Sequence, residues 1–228
     1  MLIRYTLSEL LRKIRIKIFP SYSKLRVIQY KYLNYNEYVK IQTFFNKKKI
    51  DRVWADKNIL DFIIQDVRES FPKNEKLRGI CHGTRNGYEQ KYFSDTTGWL
   101  VIGTEISETA NNYPNTLKWD FHLAIPQYRS VFNFVYSNSL DHSFDPESAL
   151  TTWLGQLVEG GKLYVEISEK HGVSSASLMD PFGVEPDYFN ELLDIWFKGI
   201  QIKSVDLINQ RLNLPVKLFI LKMPYSSV

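Results

Sequence analysis

The stretch Leu77-Arg78-Gly79-Ile80-Cys81-His82-Gly83-Thr84-Arg85-Asn86-Gly87 places an apolar run of strand length directly before a turn containing two glycines. The pattern predicts a strand over Leu77 to Cys81 and a helix over Tyr88 to Ser94. A second apolar run, Leu100 to Thr104, ends at Glu105, about twenty residues after the turn. A third predicted strand, Leu117 to Phe121, carries Asp120, with a helix over Ser107 to Asn112 before it. A fourth, Val131 to Tyr136, runs into Ser137-Asn138-Ser139-Leu140-Asp141-His142. Glycines, two carboxylates and a polar cluster thus recur at the carboxyl ends of successive strands, where open α/β sheets bind ligands.

Downstream the alternation continues. Asp145 and Pro146 form a helix-start pair, the helix is expected to reach Leu157, and Gly160-Gly161 turns into a strand over Lys162 to Ile167. A helix over Pro186 to Phe197 is followed by strands at Ile200 to Leu207 and Val216 to Leu221, which pair most simply as an antiparallel hairpin. Strands separated by short helices imply right-handed crossovers. The expected fold is α/β, Rossmann-like, with a seven-stranded mostly parallel sheet, helices on both faces and a C-terminal antiparallel hairpin.

Upstream, Asp56 caps a helix through about Ser70 with Ile59, Leu60, Ile63, Ile64 and Val67 as its buried stripe. The helix expected over Asn36 to Val53 puts Tyr38, Gln42, Asn46 and Lys49 on one face, suited to a polar ligand or to solvent. Tyr22 to Asn36 reads as irregular, with room for a short strand or helix. Met1 to Pro20 reads as an amphipathic helix suited to covering a core or lying on an anionic membrane or partner surface. Residues 1–55 are therefore expected to form a basic helical segment, and residues 56–228 the main domain.

Charge divides the same way. The first fifty residues hold twelve Lys or Arg against Glu9 and Glu37, net +10, whereas the rest holds 17 basic and 23 acidic residues, net −6. A basic lead on an acidic body points to an anionic partner, or to a basic face packed beside the body. The single cysteine, Cys81, excludes an intrachain disulfide framework and suits a reducing, cytoplasmic location. No apolar run approaches the ~20 residues of a membrane span.

Several residues carry candidate chemistry. Gly83, Thr84, Arg85 and Gly87 allow close backbone approach to a ligand at a helix start, although a plain strand-to-helix turn also favours glycine. Glu105 can accept from a pair of ribose hydroxyls, or serve as a helix-start carboxylate. Asp120 can accept from an exocyclic amine with Phe121 packed on the ring, or be a turn residue. His142 can be a general base, with Asp141 beside it either orienting it or shaping the pocket. Cys81 reads as an inert core residue. His82, His122, His142 and His171 show no metal-ligand spacing, so no metal is expected.

In this order the features resemble the class I S-adenosylmethionine-dependent methyltransferases, over roughly Asp56 to Pro224. Gly83-Thr84-Arg85-Asn86-Gly87 is similar to the family's glycine-rich motif, Gly103-Thr104-Glu105-Ile106-Ser107 to its second-strand motif, and Trp119-Asp120-Phe121 to its adenine-side motif. Phe132 to His142 resembles the fourth-strand motif, and Leu157-Val158-Glu159-Gly160-Gly161-Lys162-Leu163 the turn into the fifth strand. The resemblance implies S-adenosylmethionine as cofactor. Gly83, Thr84, Arg85 and Gly87 would surround its methionine part, Glu105 its ribose, Asp120 and Phe121 its adenine, and Asn138 its carboxylate or amine end, with His82 and Ile106 also among the cofactor contacts. The chain departs from the pattern at two places: Cys81 stands where the family carries an acid, and Arg85 replaces a glycine.

The implied activity is methyl transfer to an oxygen or nitrogen of a small polar or glycan acceptor, with His142, then Asp141, as base and Tyr38, Gln42 and Asn46 as acceptor contacts. Two other readings accompany it. In one the basic segment tracks phosphates of a nucleic-acid acceptor; in the other the chain is a catalytically silent methyltransferase-like binding protein, as Cys81 and Arg85 suggest.

Overall fold

A computed structural model of the protein describes residues 25–72 and 75–225; the amphipathic helix expected over Met1 to Pro20, with its membrane role, lies outside them. The elements run β1 (Val27–Gln29), α1 (Tyr35–Lys48), α2 (Lys57–Ser70), β2 (Arg78–His82), α3 (Tyr88–Thr97), β3 (Leu100–Glu105), β4 (Thr116–Lys118) and β5 (Phe132–Ser137). They continue with α4 (Pro146–Leu154), β6 (Leu157–Ser168), β7 (Phe182–Val184), α5 (Pro186–Trp196), β8 (Gln201–Asn209) and β9 (Leu214–Lys222). The main sheet has seven strands in the order β4-β3-β2-β5-β6-β9-β8. Its first five are parallel neighbours, and β9 pairs antiparallel with both β6 and β8. Strand order reverses between β2 and β5, so the crevice at their carboxyl ends is the topological switch point.

Period-2 alternation explains how the sheet takes helices on both faces. Ile80, Val135, Leu163, Val165, Phe219 and Leu221 pack on one side with Leu150 and Trp153 of α4 and Phe189 of α5. Their chain neighbours Cys81, Phe134, Tyr136, Tyr164, Leu218 and Ile220 pack on the other with the stripe Ile59, Leu60, Ile63, Ile64 and Val67 of α2. Asp56 caps α2 as expected, its carboxylate accepting from Asn58 N at 3.0 Å.

Three differences from the sequence reading bear on the site. The helix expected at Ser107 is a short 3-10 turn, Glu108–Asn112, and β4 stops at Lys118, two residues before Asp120. The cause is local: Asp120 Oδ1 accepts from the backbone N of His122 at 2.9 Å, an Asx turn that competes with strand extension. Finally, β1 pairs antiparallel with β7, Val27 opposite Val184, in a separate two-stranded sheet; the sequence reading leaves room for a short strand within Tyr22 to Asn36, but its partner at Phe182–Val184 is absent from that reading. This pairing seats α1 over the crevice. Ile41 and Phe45 of α1 pack with Leu178 and Met179, and Gln42 Nε2 donates to Met179 O at 2.8 Å. No helix among the described residues is long and apolar enough to cross a membrane.

Candidate active site

Two lobes of one cleft open at the switch point, joined at Lys49, Gly83, Arg85, Ser139 and His142, which line both. The first, about 520 Å³ with its mouth, is bounded by Glu105, Ile106, Asp120 and Phe121 below and by Tyr38, Gln42 and Asn46 of α1 above. The second, about 600 Å³ with its mouth, is bounded by Thr84, Glu89, Asn138, Asp141 and Asp180, among others.

The glycine turn does what its residue types allow. Gly83 sits at φ 72°, and a Cβ there would lie 2.6 Å from Ser139 Cβ, so only glycine lets the turn close against the end of β5. Arg85 also holds positive φ, 47°, without a glycine's freedom. Its backbone N donates to Glu105 Oε2 at 3.1 Å, and Ser107 N donates to Glu105 Oε1 at 2.9 Å. Glu105 is therefore fixed through one lone pair on each oxygen, and each oxygen retains another. Burial pushes its carboxyl above the usual range, an effect that Ser107 N–H and the nearby His142 partly offset.

Asp120 is more heavily engaged. Oδ1 lies 2.6 Å from His122 Nδ1, and Oδ2 accepts from Tyr35 OH at 2.7 Å. Burial alone would raise its pKa, but the His122 and Tyr35 hydrogen bonds prevail and hold it below the ordinary value. His122 Nε2 in turn lies 2.7 Å from Ser143 Oγ. Asp120, His122 and Ser143 thus have the connectivity of a nucleophilic triad. Ser143 is fully buried, its Oγ also accepts from Asp145 N, and the His122 ring stacks on Phe144 at 4.0 Å. The serine has no access to a substrate, and the three residues instead fix the floor beside Phe121.

The structure sends His82 and Glu89, which lie on either side of the glycine turn, in different directions. His82 turns into the core, with Nδ1 2.8 Å from Thr104 Oγ1, Nε2 2.9 Å from Gln156 Oε1, and its ring stacked on Trp153. Burial lowers its pKa to about 4, and it lines neither lobe. Glu89 reaches the second lobe. Oε1 accepts from Asn138 Nδ2 at 3.4 Å, and Oε2 is buried without a partner. Burial raises its pKa to about 7. Cys81 is fully buried, which pushes its thiol well up and leaves it inert.

His142 stands where the lobes meet, but its partner is not Asp141. Nδ1 lies 3.1 Å from Met179 O and 3.3 Å from Asp180 Oδ1, which assigns the proton to Nδ1 and leaves Nε2 as an acceptor. Asp141 is buried, and its Oδ1 has no partner. One donor atom each from Asp141, His142 and Asp180 lies within 4.8 Å of the others, close enough for a metal ion. Spacing along the chain could not reveal this, since Asp180 belongs to the loop before β7. Lys49 and Arg85 act electrostatically on Asp180, so cations already face these carboxylates.

Tyr38, Gln42 and Asn46 reach the first lobe, opposite the ribose and adenine candidates, and not the second. Asn46 Oδ1 accepts from Thr109 Oγ1 at 2.8 Å, so it and Gln42 also tie α1 to the body. Sequence reasoning missed Asp180, Arg52, Trp54 and Lys170, all lining the second lobe.

No protein-family model and no curated protein matches the sequence. Solved structures do match. The Burkholderia thailandensis 1,6-didemethyltoxoflavin-N1-methyltransferase, with bound 1,6-didemethyltoxoflavin and S-adenosylhomocysteine, aligns at TM-score 0.64 and 12% identity over 87% of this chain and 94% of its own. The fold is that of the class I S-adenosylmethionine-dependent methyltransferases. The plantazolicin methyltransferase BpumL, in complex with a pentazolic desmethylPZN analog and S-adenosylhomocysteine, has the same methyltransferase fold at TM-score 0.62 and 14% identity, over 82% of this chain and 96% of its own. A complex between the Haloferax volcanii Trm112 methyltransferase activator and the putative methyltransferase aligns at TM-score 0.60 and 16% identity, over 85% of this chain and 100% of its own.

Proposed function

We propose that the protein is an S-adenosylmethionine-dependent methyltransferase acting on an oxygen or nitrogen of a small polar acceptor, a glycan included. The observation that carries the proposal is Glu105, buried at the end of β3, gripped by two backbone amides and still offering a lone pair on each oxygen beside the close-approach turn at Gly83. The cofactor also fits the unmet polar atoms of the second lobe, Thr84 Oγ1 and Glu89 Oε2. Glu89 takes up the task of the acid that Cys81 does not supply. Glu105 and Ile106 hold the ribose, Asp120 and Phe121 the adenine, and Gly83, Thr84, Arg85 and Asn138 the methionine part; Gly87 lines neither lobe, packs towards Gln90 and Tyr113, and serves the turn only.

When bound, S-adenosylmethionine supplies an already activated methyl group. The chain's own work is to align the acceptor, remove its proton and exclude water. Alignment of this kind is worth several kcal/mol. His142 takes the acceptor proton on Nε2, and Asp180 with the Met179 carbonyl holds the ring in that tautomer. α1 roofs the first lobe through Tyr38 and Gln42. The B. thailandensis protein is an N1-methyltransferase, which supports a nitrogen acceptor alongside a hydroxyl.

Calorimetric titration with S-adenosylmethionine and S-adenosylhomocysteine, beside Glu105→Ala, tests the reading. Micromolar binding by the wild type, weakened about 10- to 100-fold in Glu105→Ala, is expected from the loss of a charged hydrogen-bond acceptor. A wild type that binds neither compound overturns it.

A further inference from the structure

Beyond Glu89 and Asp141, the unmet groups of the second lobe are donors. Lys49, Arg52, Arg85 and Lys170 all line it, and none forms an ion pair within 4 Å among the described residues. Lys49 is half-buried, and its ammonium lies 2.9 Å from Met179 Sδ, a weak acceptor for a charge taken out of water. The indole Nε1–H of Trp54 is buried without a partner on the same wall. Buried donors left unmet are costly unless a ligand completes them.

The framework holding these donors is built. The Arg52 carbonyl accepts from Arg85 at 3.2 Å and from Asn86 Nδ2 at 3.5 Å, and the Ile50 carbonyl accepts from Asn86 Nδ2 at 2.9 Å. Trp54 O accepts from Asn209 Nδ2 at 2.9 Å. Lys170 projects from a 3-10 turn that Ser168 and His171 cap reciprocally. Three carboxyl groups face the four cations, Asp141, Asp180 and Glu89. Burial leaves Glu89 only partly ionised at neutral pH, so the lobe keeps an excess of positive charge.

We infer that the acceptor is itself an anion, its carboxylate or phosphate seated between Lys49, Arg52, Lys170 and the Trp54 N–H, with its nucleophile directed at His142. An acceptor-only group with several lone pairs meets a wall of donors, and the shared lining at Lys49 and His142 joins that wall to the reacting end. The inference rests on reading the cleft as a methyl-transfer site and adds the charge of what is methylated.

The test uses the full chain saturated with S-adenosylhomocysteine, titrated calorimetrically with inorganic phosphate and with malonate at low and high salt. Arg52→Ala/Lys170→Ala, both at exposed positions, and Trp54→Phe are compared with the wild type. At least one anion is expected to bind the saturated wild type, more weakly as salt rises, and at least tenfold more weakly in the double variant, while the affinity for S-adenosylhomocysteine changes less than threefold. Preference for phosphate points to a phosphorylated acceptor and preference for malonate to a carboxylate; either supports the inference. Two results overturn it: no salt-dependent anion binding to the saturated protein, or mutual exclusion of anion and S-adenosylhomocysteine, which would assign the cations to the cofactor's own carboxylate. Failure of the wild type to bind S-adenosylhomocysteine is a separate outcome, which removes the reading under "Proposed function".

Discussion

At Gly83 and Ser143 single atoms decide what the site tolerates. A methyl at position 83 would meet the Ser139 side chain at 2.6 Å while the backbone holds φ 72°. Gly83→Ala is therefore expected to cost about 1–3 kcal/mol of stability and to weaken cofactor binding, read from denaturant midpoints and calorimetry together. Ser143→Ala should leave His122 Nε2 short of a partner and cost about 1–3 kcal/mol, with cofactor affinity little changed. A large rate loss in Ser143→Ala without loss of stability would show that the buried triad connectivity has a chemical role. His142→Ala, by contrast, is expected to lower kcat by about 10²- to 10⁴-fold for a hydroxyl acceptor with cofactor binding retained, measured by single-turnover kinetics. Glu105 was legible because a carboxylate at a strand end after a glycine turn is a spacing pattern. His82 was not, since nothing in its neighbours signals that Trp153 and Gln156, more than seventy residues on, would claim its ring.

Among the elements, the strands of the main sheet and α2 to α5 follow from alternation and apolar stripes, and their ends shift by a few residues; the exception is β6, which starts at Leu157, so that Gly160 and Gly161, expected as a turn before the strand, lie within it. The roof of the site was harder to read. β7 is three residues long, too short for any periodicity, and β1 is equally short. Their pairing depends on Gly183, where an added Cβ would lie 2.7 Å from Ala176 Cβ and 3.0 Å from both Gly172 O and Ile28 Cγ2. Gly183→Ala should consequently loosen β1 and the helix it leads into. Faster hydrogen exchange at residues 27–29 and along α1, with the main sheet unchanged, is the expected result. Spacing puts Tyr38, Gln42, Asn46 and Lys49 on one face, and Lys49 falls just past the end of α1; what that face meets was not legible, because the opposing Met179 carbonyl lies in a loop and the Thr109 hydroxyl in a short 3-10 turn.

For the whole molecule, buried acids beneath the second lobe couple stability to pH. Glu166 is fully buried with Tyr136 OH as its hydrogen-bond donor, and burial raises its pKa to about 8; Glu89 stands at about 7. Both folded values exceed the ordinary one of 4.5, so the folded state binds more protons than the unfolded state between them. Their contribution is fully present below about pH 4.5 and is lost as pH rises through about 7 and about 8, with a slope of at most about 1.4 kcal/mol per pH unit for each proton. Glu166→Gln removes one of these protons from the balance. Urea midpoints at pH 5.5 and 8.5 should accordingly fall less in Glu166→Gln than in the wild type; equal falls would mean that Glu166 is ionised in the folded protein.

The order of the sheet also bears on synthesis. β9, last of the described strands along the chain, lies between β6 and β8 and pairs with Lys162–Ser168 of the one and the whole of the other. During translation the sheet must wait with β6 unpartnered on that side and β8 unattached until residue 222 has left the ribosome. Non-local pairing of this kind delays folding. A nascent chain stalled before Leu214 therefore exposes the edge of β6, a template for pairing with another copy, and ending the chain there would unmake the sheet instead of trimming it.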